Sequence, residues 1–115
     1  MTDIKRLTSL ILKFRDDRDW KQFHNPKDSA IGLVSEAVEV LDEFKWKNEE
    51  EIKEYLKKEK HKIEDELSDV LFWVLLMAYD LKIDIPSSFA RKMEQNKKKY
   101  PVNKSRGKHT KYTDL

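Results

Sequence analysis

Apolar residues recur at helical spacing along most of the chain. The first series predicts a helix that begins at Thr2 or Asp3, either of which is a suitable N-cap, and ends near Arg18. The second predicts a helix from about residue 29 to residue 44, with Asp28 as its cap. The apolar positions are Ile4, Leu7, Leu10, Ile11 and Phe14 in the first series, and Ile31, Val34, Ala37, Val38, Leu41 and Phe44 in the second.

The rest of the pattern predicts two further helices. Residues 62–81 begin polar and become apolar on every side from Val70 onward, which is typical of the central helix of a bundle. Pro86 suits the first turn of a fourth helix, which Pro101 ends. The charged segment 49–62 fits either a short helix of its own or an extension of the third helix. No segment alternates as strands do, so the predicted fold class is all-α.

Composition narrows the class of protein. The 115 residues match one domain, and the absence of cysteine excludes disulfides and cysteine zinc sites and favours a reducing compartment, so we expect a cytoplasmic protein. The longest apolar run, 70–79, is too short for a membrane span, and the N-terminal stretch lacks the apolar core of a secretion signal. Positive charge is concentrated after Glu94, where it is either solvated or in contact with phosphate or another polyanion. We predict an all-α domain over residues 1–102 and a basic tail over residues 103–115.

Two pairs of carboxylates carry the candidate chemistry. Glu36 and Glu39 are three residues apart on the second helix, and Glu66 and Asp69 are three apart on the third, so each pair projects from one helix face. If the two helices pack antiparallel, about four negative charges meet and need protonation or a cation. Oxygen ligands favour Mg²⁺, with Mn²⁺ as an alternative. No histidine follows either pair at the third position, which disfavours a di-iron bundle.

Each pair also has a purely structural interpretation. Because 40% of the residues are charged, such pairs arise by chance, and Glu36 and Glu39 lie opposite the apolar face of their helix, where solvent can reach them. Glu66 and Asp69 share a stripe with Trp73 on a helix that becomes apolar all round, so their carboxylates need a partner. A metal site and a solvated acidic surface both remain open from the residues alone.

The joint spacing of the two pairs is similar to a known signature. Glu36-x-x-Glu39, then 26 residues, then Glu66-x-x-Asp69 resembles the motif of the all-α nucleoside triphosphate pyrophosphohydrolases of the MazG-like group. Further segments resemble the dCTP pyrophosphatase branch of that group, namely residues 18–24, 44–46, 66–70, 96–101 and 111–113. The resemblance spans nearly the whole chain, and the joint spacing is specific where either pair alone is not.

This resemblance implies a fold, an activity and a site. The fold is a four-helix bundle protomer that assembles as a homodimer or homotetramer, with each site closed partly by another subunit. The activity is Mg²⁺-dependent hydrolysis of nucleoside triphosphates to the monophosphate and pyrophosphate, with pyrimidine deoxynucleotides such as dCTP or modified dCTP as expected substrates in nucleotide-pool housecleaning. The implied contacts to base and sugar are Trp20, His24, Trp46, Trp73, Asn96 and Tyr100. Trp73 stands where relatives often carry tyrosine.

Roles for the carboxylates follow from the same resemblance. Glu39, Glu66 and Asp69 are expected metal ligands, and Glu36 is a fourth ligand or the base that accepts a proton from the attacking water. Lys92, with Lys97 and Lys98, is a candidate to neutralise the triphosphate.

Purely structural roles and other functions also fit these residues. Trp73 fits a core position, Tyr100 fits a helix end, and His24 fits a loop residue that satisfies the backbone. The first rival function is a non-enzymatic helical interaction module whose basic tail binds a polyanion. The second is the phosphoribosyl-ATP pyrophosphohydrolase activity of the same superfamily. Neither a membrane nor nucleic acid is an expected partner.

Overall fold

The computed structural model describes residues 2–115 and is all-helical over that range, as predicted. Five α-helices follow one another: α1 is Asp3–Asp17, α2 is Pro26–Asp42, α3 is Glu49–Asp80, α4 is Ile85–Lys99 and α5 is Val102–Ser105. Short 3₁₀ turns lie at Lys21–Phe23 and Tyr112–Asp114. Within this range, no helix has the length and apolar character that crossing a membrane requires.

The start of α1 agrees with the sequence prediction, whereas the start of α2 does not. Thr2 caps α1, and its side chain accepts a hydrogen bond from the backbone N–H of Lys5. Helix α2 begins at Pro26, three residues before the predicted start, so the expectation that Asp28 is its cap was wrong. Asn25 is the cap because the following proline holds it in the extended region and its side chain accepts from the N–H of Asp28.

The charged segment 49–62 continues into the third helix. Asn48 and Glu51 form a capping box at the start of α3, which places that start well before residue 62. Glu59 interrupts the helix with non-helical dihedrals, φ −125° and ψ 22°, so α3 is a long helix with a kink. The uncertain boundary in the sequence therefore corresponds to a bend in a continuous element.

Helices α2 and α3 run antiparallel. Three contacts show this: Tyr55 donates a hydrogen bond to Glu43 near the turn, Glu66 approaches Glu39 further along, and Trp73 lies against Gly32 beyond that. As the residue number in α3 increases, the number of the residue that it contacts in α2 decreases. This antiparallel pairing brings the two carboxylate pairs to the same level.

The apolar half of α3 forms the core, and both α1 and α2 pack against it. Leu75, Leu76 and Ala78 are buried. The apolar circumference from Val70 onward predicts that this half of the helix is enclosed, but Leu71 is 40% exposed and Tyr79 is 53% exposed. One chain therefore covers only part of the apolar circumference of this helix.

The chain divides into two compact units, one up to Lys82 and the other from Ile83 to Leu115. In the second unit, Asp84 caps α4 through the N–H of Ser87. The aromatic rings of Tyr100 and Tyr112 meet edge to face, with centroids 5.9 Å apart, so the segment after α4 folds back on the end of that helix.

A buried ion pair joins α1 to the end of α3. Arg15 is only 1% exposed, and its guanidinium donates to both carboxylate oxygens of Asp80 at 3.0 and 2.8 Å. The same nitrogen, Nη1, makes both contacts, and hydrogen bonds between charged groups are stronger than those between neutral ones. Removing one member of such a pair leaves the other charge in a place with little solvent.

We predict that Asp80→Asn lowers the free energy of unfolding by about 3 kcal/mol, because it strands the buried guanidinium. The matched control is Asp17→Asn, which breaks the exposed Lys13–Asp17 pair and should cost less than about 1 kcal/mol. Urea denaturation of both variants at neutral pH measures the two values. Equal losses would show that the Arg15–Asp80 pair contributes no more than a surface contact.

Candidate active site

The carboxylates of α2 and α3 form one cluster. Glu36, Glu39 and Glu66 each offer an oxygen within 4.8 Å of the others. The fourth predicted ligand, Asp69, lies outside this trio, but its charge acts on both Glu36 and Glu66. All four residues of the sequence signature therefore belong to one electrostatic neighbourhood.

Crowding changes the protonation of this cluster. The hydrogen bond shared with Glu39, followed by desolvation and the charges of the neighbouring carboxylates, raises the pKa of Glu66 to about 7. Burial is the main cause that raises the pKa of Glu36, with the Glu39 contact and the charge of Asp69 adding to it. Both shifts favour the neutral acid, which is the expected response of like charges held together without a counter-ion.

The donor set fits a hard divalent cation. One oxygen of Glu36 and one of Glu66 are buried and have no hydrogen-bond partner. A buried carboxylate oxygen without a partner is costly unless something binds it. An all-oxygen set of carboxylates is the ligand type that Mg²⁺ and Mn²⁺ prefer. The cluster therefore suits such an ion, with Glu36, Glu39 and Glu66 in reach and Asp69 alongside.

A cavity of about 430 Å³ adjoins the carboxylates. Glu36 and Asp69 are its acidic lining residues, and the rest of the wall is aromatic or aliphatic. The apolar part of the wall comes from Leu10, Ile11, Phe14, Trp20, Phe72 and Trp73. The apolar recess suits a flat ring, and the carboxylates beside it suit an attached anionic chain once they hold a cation.

The end of α1 places Trp20 in this wall. Asp19 adopts a positive φ of 53°, which turns the chain back so that the N–H of Trp20 bonds to the carbonyl of Arg15 at 3.1 Å. The N–H of Asp19 bonds to the carbonyl of Asp16, also at 3.1 Å, which completes a Schellman-type cap. The Trp20 ring then packs edge-on against Phe14, with centroids 5.6 Å apart.

His24 lies behind the cavity wall. Its ring meets the indole of Trp73 edge to face, with centroids 5.4 Å apart, and it lines a second cavity of about 270 Å³ together with Ser29 and Asp80. Burial and the positive charge of Arg15 lower the pKa of His24, while the charge of Asp80 opposes this. His24 therefore supports Trp73 as a neutral ring.

Of the other predicted contact residues, one lies in the turn after α2 and three lie in the second compact unit. Trp46 is 84% exposed in the turn after α2 and does not line the cavity. Lys92 and Asn96 lie on α4 and Tyr100 directly follows it, all within the second compact unit. Of the predicted aromatic contacts, Trp20 and Trp73 are thus the two that share a cavity with the carboxylates.

Comparison with known proteins places the chain in a family. The model of the MazG-like family matches residues 31–115. The chain belongs to the MazG-like family. Curated relatives include dCTP pyrophosphatase 1 of Bos taurus, 38% identical over 117 aligned residues that cover 100% of this chain and 68% of that protein. The human dCTP pyrophosphatase 1 is 34% identical, covering 100% of this chain and 67% of that protein.

A solved structure shares the fold of this MazG-like chain. A pyrophosphatase from Archaeoglobus fulgidus superposes with a TM-score of 0.81 at 33% identity, over 88% of this chain and 94% of that one. The predicted family resemblance is confirmed, and with it the enzyme class, nucleoside triphosphate pyrophosphohydrolase.

Sequence reasoning missed part of the cavity of this MazG-like protein. The sequence shows only an apolar face of α1, which predicts core positions for Leu10, Ile11 and Phe14, whereas all three line the cavity. Their partial exposure is a signal that the sequence does not carry. Phe72 precedes Trp73 within the apolar run and was likewise expected to be enclosed.

We predict that His24 titrates below the ordinary value of 6.5, because burial and Arg15 disfavour its charged form. A lowered pKa of a base means that the unfolded chain binds more protons, so stability is lost as the pH falls from about 6.5 towards the folded pKa. Between pH 7 and pH 5, the free energy of unfolding should therefore fall more in wild type than in His24→Gln. The difference should correspond to the titration of one group. NMR titration of the imidazole and urea denaturation across this range check both statements. A parallel pH dependence in the two proteins would contradict them.

Proposed function

We propose that this protein hydrolyses pyrimidine deoxynucleoside triphosphates, with dCTP or a modified dCTP as the preferred class, to the monophosphate and pyrophosphate. The observation that carries this proposal is the apolar cavity whose acidic lining belongs to the carboxylate cluster. The names of the curated relatives support the choice of dCTP. The cofactor that the donor set suits is Mg²⁺, with Mn²⁺ as a substitute.

Four carboxylates divide the work at the phosphate end. Glu39, Glu66 and Asp69 are the proposed ligands of the cation, which when bound supplies positive charge to the triphosphate and to the leaving pyrophosphate. Glu36 is proposed as a fourth ligand or as the general base. It lines the cavity and has a buried oxygen without a partner, and in the second role this oxygen accepts a proton from the water that attacks the α-phosphorus.

The base of the nucleotide is proposed to bind in the apolar recess. Trp20 and Trp73 are its aromatic walls, and stacking of a base on one such ring contributes about 1–3 kcal/mol in single-strand binders. The predicted contributions of His24, Trp46, Lys92, Asn96 and Tyr100 remain part of this proposal as contacts to base, sugar or phosphate. The two-part domain division at residue 102 also remains a prediction.

Self-association is part of the proposed function. Helix α2 carries an exposed aliphatic series at helical spacing, and α3 adds two neighbours. The exposed fractions are 53% for Ile31, 61% for Val34, 46% for Val38, 56% for Leu41, 54% for Leu67 and 40% for Leu71. Contiguous exposed aliphatic surface is typical of protein–protein interfaces. We infer a homodimer or homotetramer built on four-helix protomers, acting in the cytoplasm on the nucleotide pool.

We predict that the purified protein releases pyrophosphate from dCTP only when Mg²⁺ or Mn²⁺ is present. A panel of the four deoxynucleotides, dUTP and 5-methyl-dCTP, each followed by pyrophosphate release with and without EDTA, measures both the activity and its base preference. Turnover of purines in preference to pyrimidines would refute the substrate class. Absence of turnover with every nucleotide, in well-folded protein, would favour a helical interaction module instead.

We predict opposite effects of Glu66→Gln on activity and on stability. Loss of a proposed ligand should lower turnover at least about 100-fold, because even the partners of metal ligands contribute roughly 10–100-fold. The same change removes one of several crowded charges, so the metal-free protein should melt at a higher temperature than wild type at pH 8.

The matched control for this variant is Glu64→Gln, which removes an exposed carboxylate from the same helix. It should leave both turnover and melting temperature near the wild-type values. If Glu66→Gln lowered the melting temperature in EDTA and kept its activity, both the charge crowding and the ligand assignment would be wrong.

A further inference from the structure

Trp73 lies against the one glycine inside a helix of this chain. A Cβ atom added to Gly32 would be 2.5 Å from Cε2, 2.6 Å from Cζ2 and 2.8 Å from Cδ2 of the Trp73 indole. Carbon atoms in favourable contact are about 3.5–4.0 Å apart, so these distances leave no room for any side chain at position 32. The indole occupies the space that a side chain on α2 would fill.

Space, and not backbone conformation, explains this glycine. Gly32 lies in the interior of α2, away from either cap, and the only glycine with a positive φ among the described residues is Gly107. Glycine is less favourable than alanine in a helix interior. Gly32 therefore lowers the helix-forming tendency of α2, and it allows the close approach of Trp73.

Two further aromatic rings contact the indole. His24 meets it edge to face at a centroid distance of 5.4 Å, and Phe72 does so at 5.3 Å. The same indole lines the cavity that Glu36 and Asp69 border. Because protein interiors are close-packed, a side chain added at Gly32 can displace the indole only towards the open cavity.

We propose that Gly32 is a positioning residue that sets the depth of the base cavity, by letting the Trp73 indole sit back against α2. This proposal rests on the proposed function, since it concerns the recess that receives the base. The recess presents apolar walls outside the carboxylates, so it distinguishes bases mainly by size and stacking. The position of Trp73, which Gly32 permits, is then the determinant of which rings fit.

The test compares Gly32→Ala with wild type in steady-state hydrolysis of dCTP. The added methyl group displaces the indole into the cavity, so KM should rise about tenfold or more, the effect expected of one misplaced methyl group in an apolar pocket. The value of kcat should change less than about threefold, because the carboxylates that act on the phosphate are untouched. The inhibition constant of inorganic pyrophosphate, which has no base, should not change.

Rescue separates positioning from general damage. Trp73→Phe shortens the ring and frees space beside α2, so adding Gly32→Ala to Trp73→Phe should leave KM within about threefold of the single Trp73→Phe variant. The added alanine should also raise the melting temperature in that background, since only its helix-forming effect remains. Ser35→Ala, an exposed substitution on the same helix, controls for helix propensity and should leave KM unchanged.

The outcomes are distinct. If wild type hydrolyses dCTP and Gly32→Ala keeps its KM, or changes the inhibition constant of pyrophosphate equally, the positioning role of Gly32 is refuted. Failure of the Trp73→Phe background to suppress the effect refutes it too. If wild type hydrolyses no nucleotide at all, the proposed function fails, and the role of Gly32 in base selection fails with it.

Discussion

The central constraint on this structure is the approach of like charges between α2 and α3. Antiparallel packing of the two helices brings oxygens of Glu36, Glu39 and Glu66 within 4.8 Å of each other. Repulsion of this kind raises pKa values and opposes folding unless a proton or a cation offsets it. The apolar contacts of α1 and α2 with the buried part of α3 hold the helices together against it. The carboxylate cluster is therefore held together against its own repulsion.

Local signals in the sequence predicted most of the helical boundaries. Thr2 is a cap with an accepting side chain, and such short-range chemistry is visible in one dimension. The wrong start of α2 has a local cause also: Asn25 before Pro26 is a stronger cap than Asp28, because proline fixes both the extended cap and the first turn. No glycine or proline lies at the kink at Glu59, so no residue type in the sequence predicts this kink.

The carboxylate cluster was predictable as far as its residues act in pairs on one helix. The spacing of three residues in each carboxylate pair is a property of the helix itself, and the joint spacing matched a family signature. Contacts between distant residues were not predictable. The pairing of Arg15 with Asp80 spans 65 positions, and the charged residues of the chain offer many equally plausible partners. The exposure of Trp46 likewise depends on which helices lie around it, which periodicity does not specify.

Helix α2 has a different environment on each of its sides. The side towards the cluster carries the carboxylates, position 32 has no room for a side chain, Ser29 is buried to 1% exposure, and the outer side carries the exposed aliphatic series. Helix α1, by comparison, has an exposed side with Lys5, Lys13 and Asp17. Random substitution should therefore be tolerated at few positions of α2 and at many on the outer side of α1. In the evolution of such proteins, the sequence of α2 should stay nearly constant, while the sequence of α1 should vary except at its inward residues.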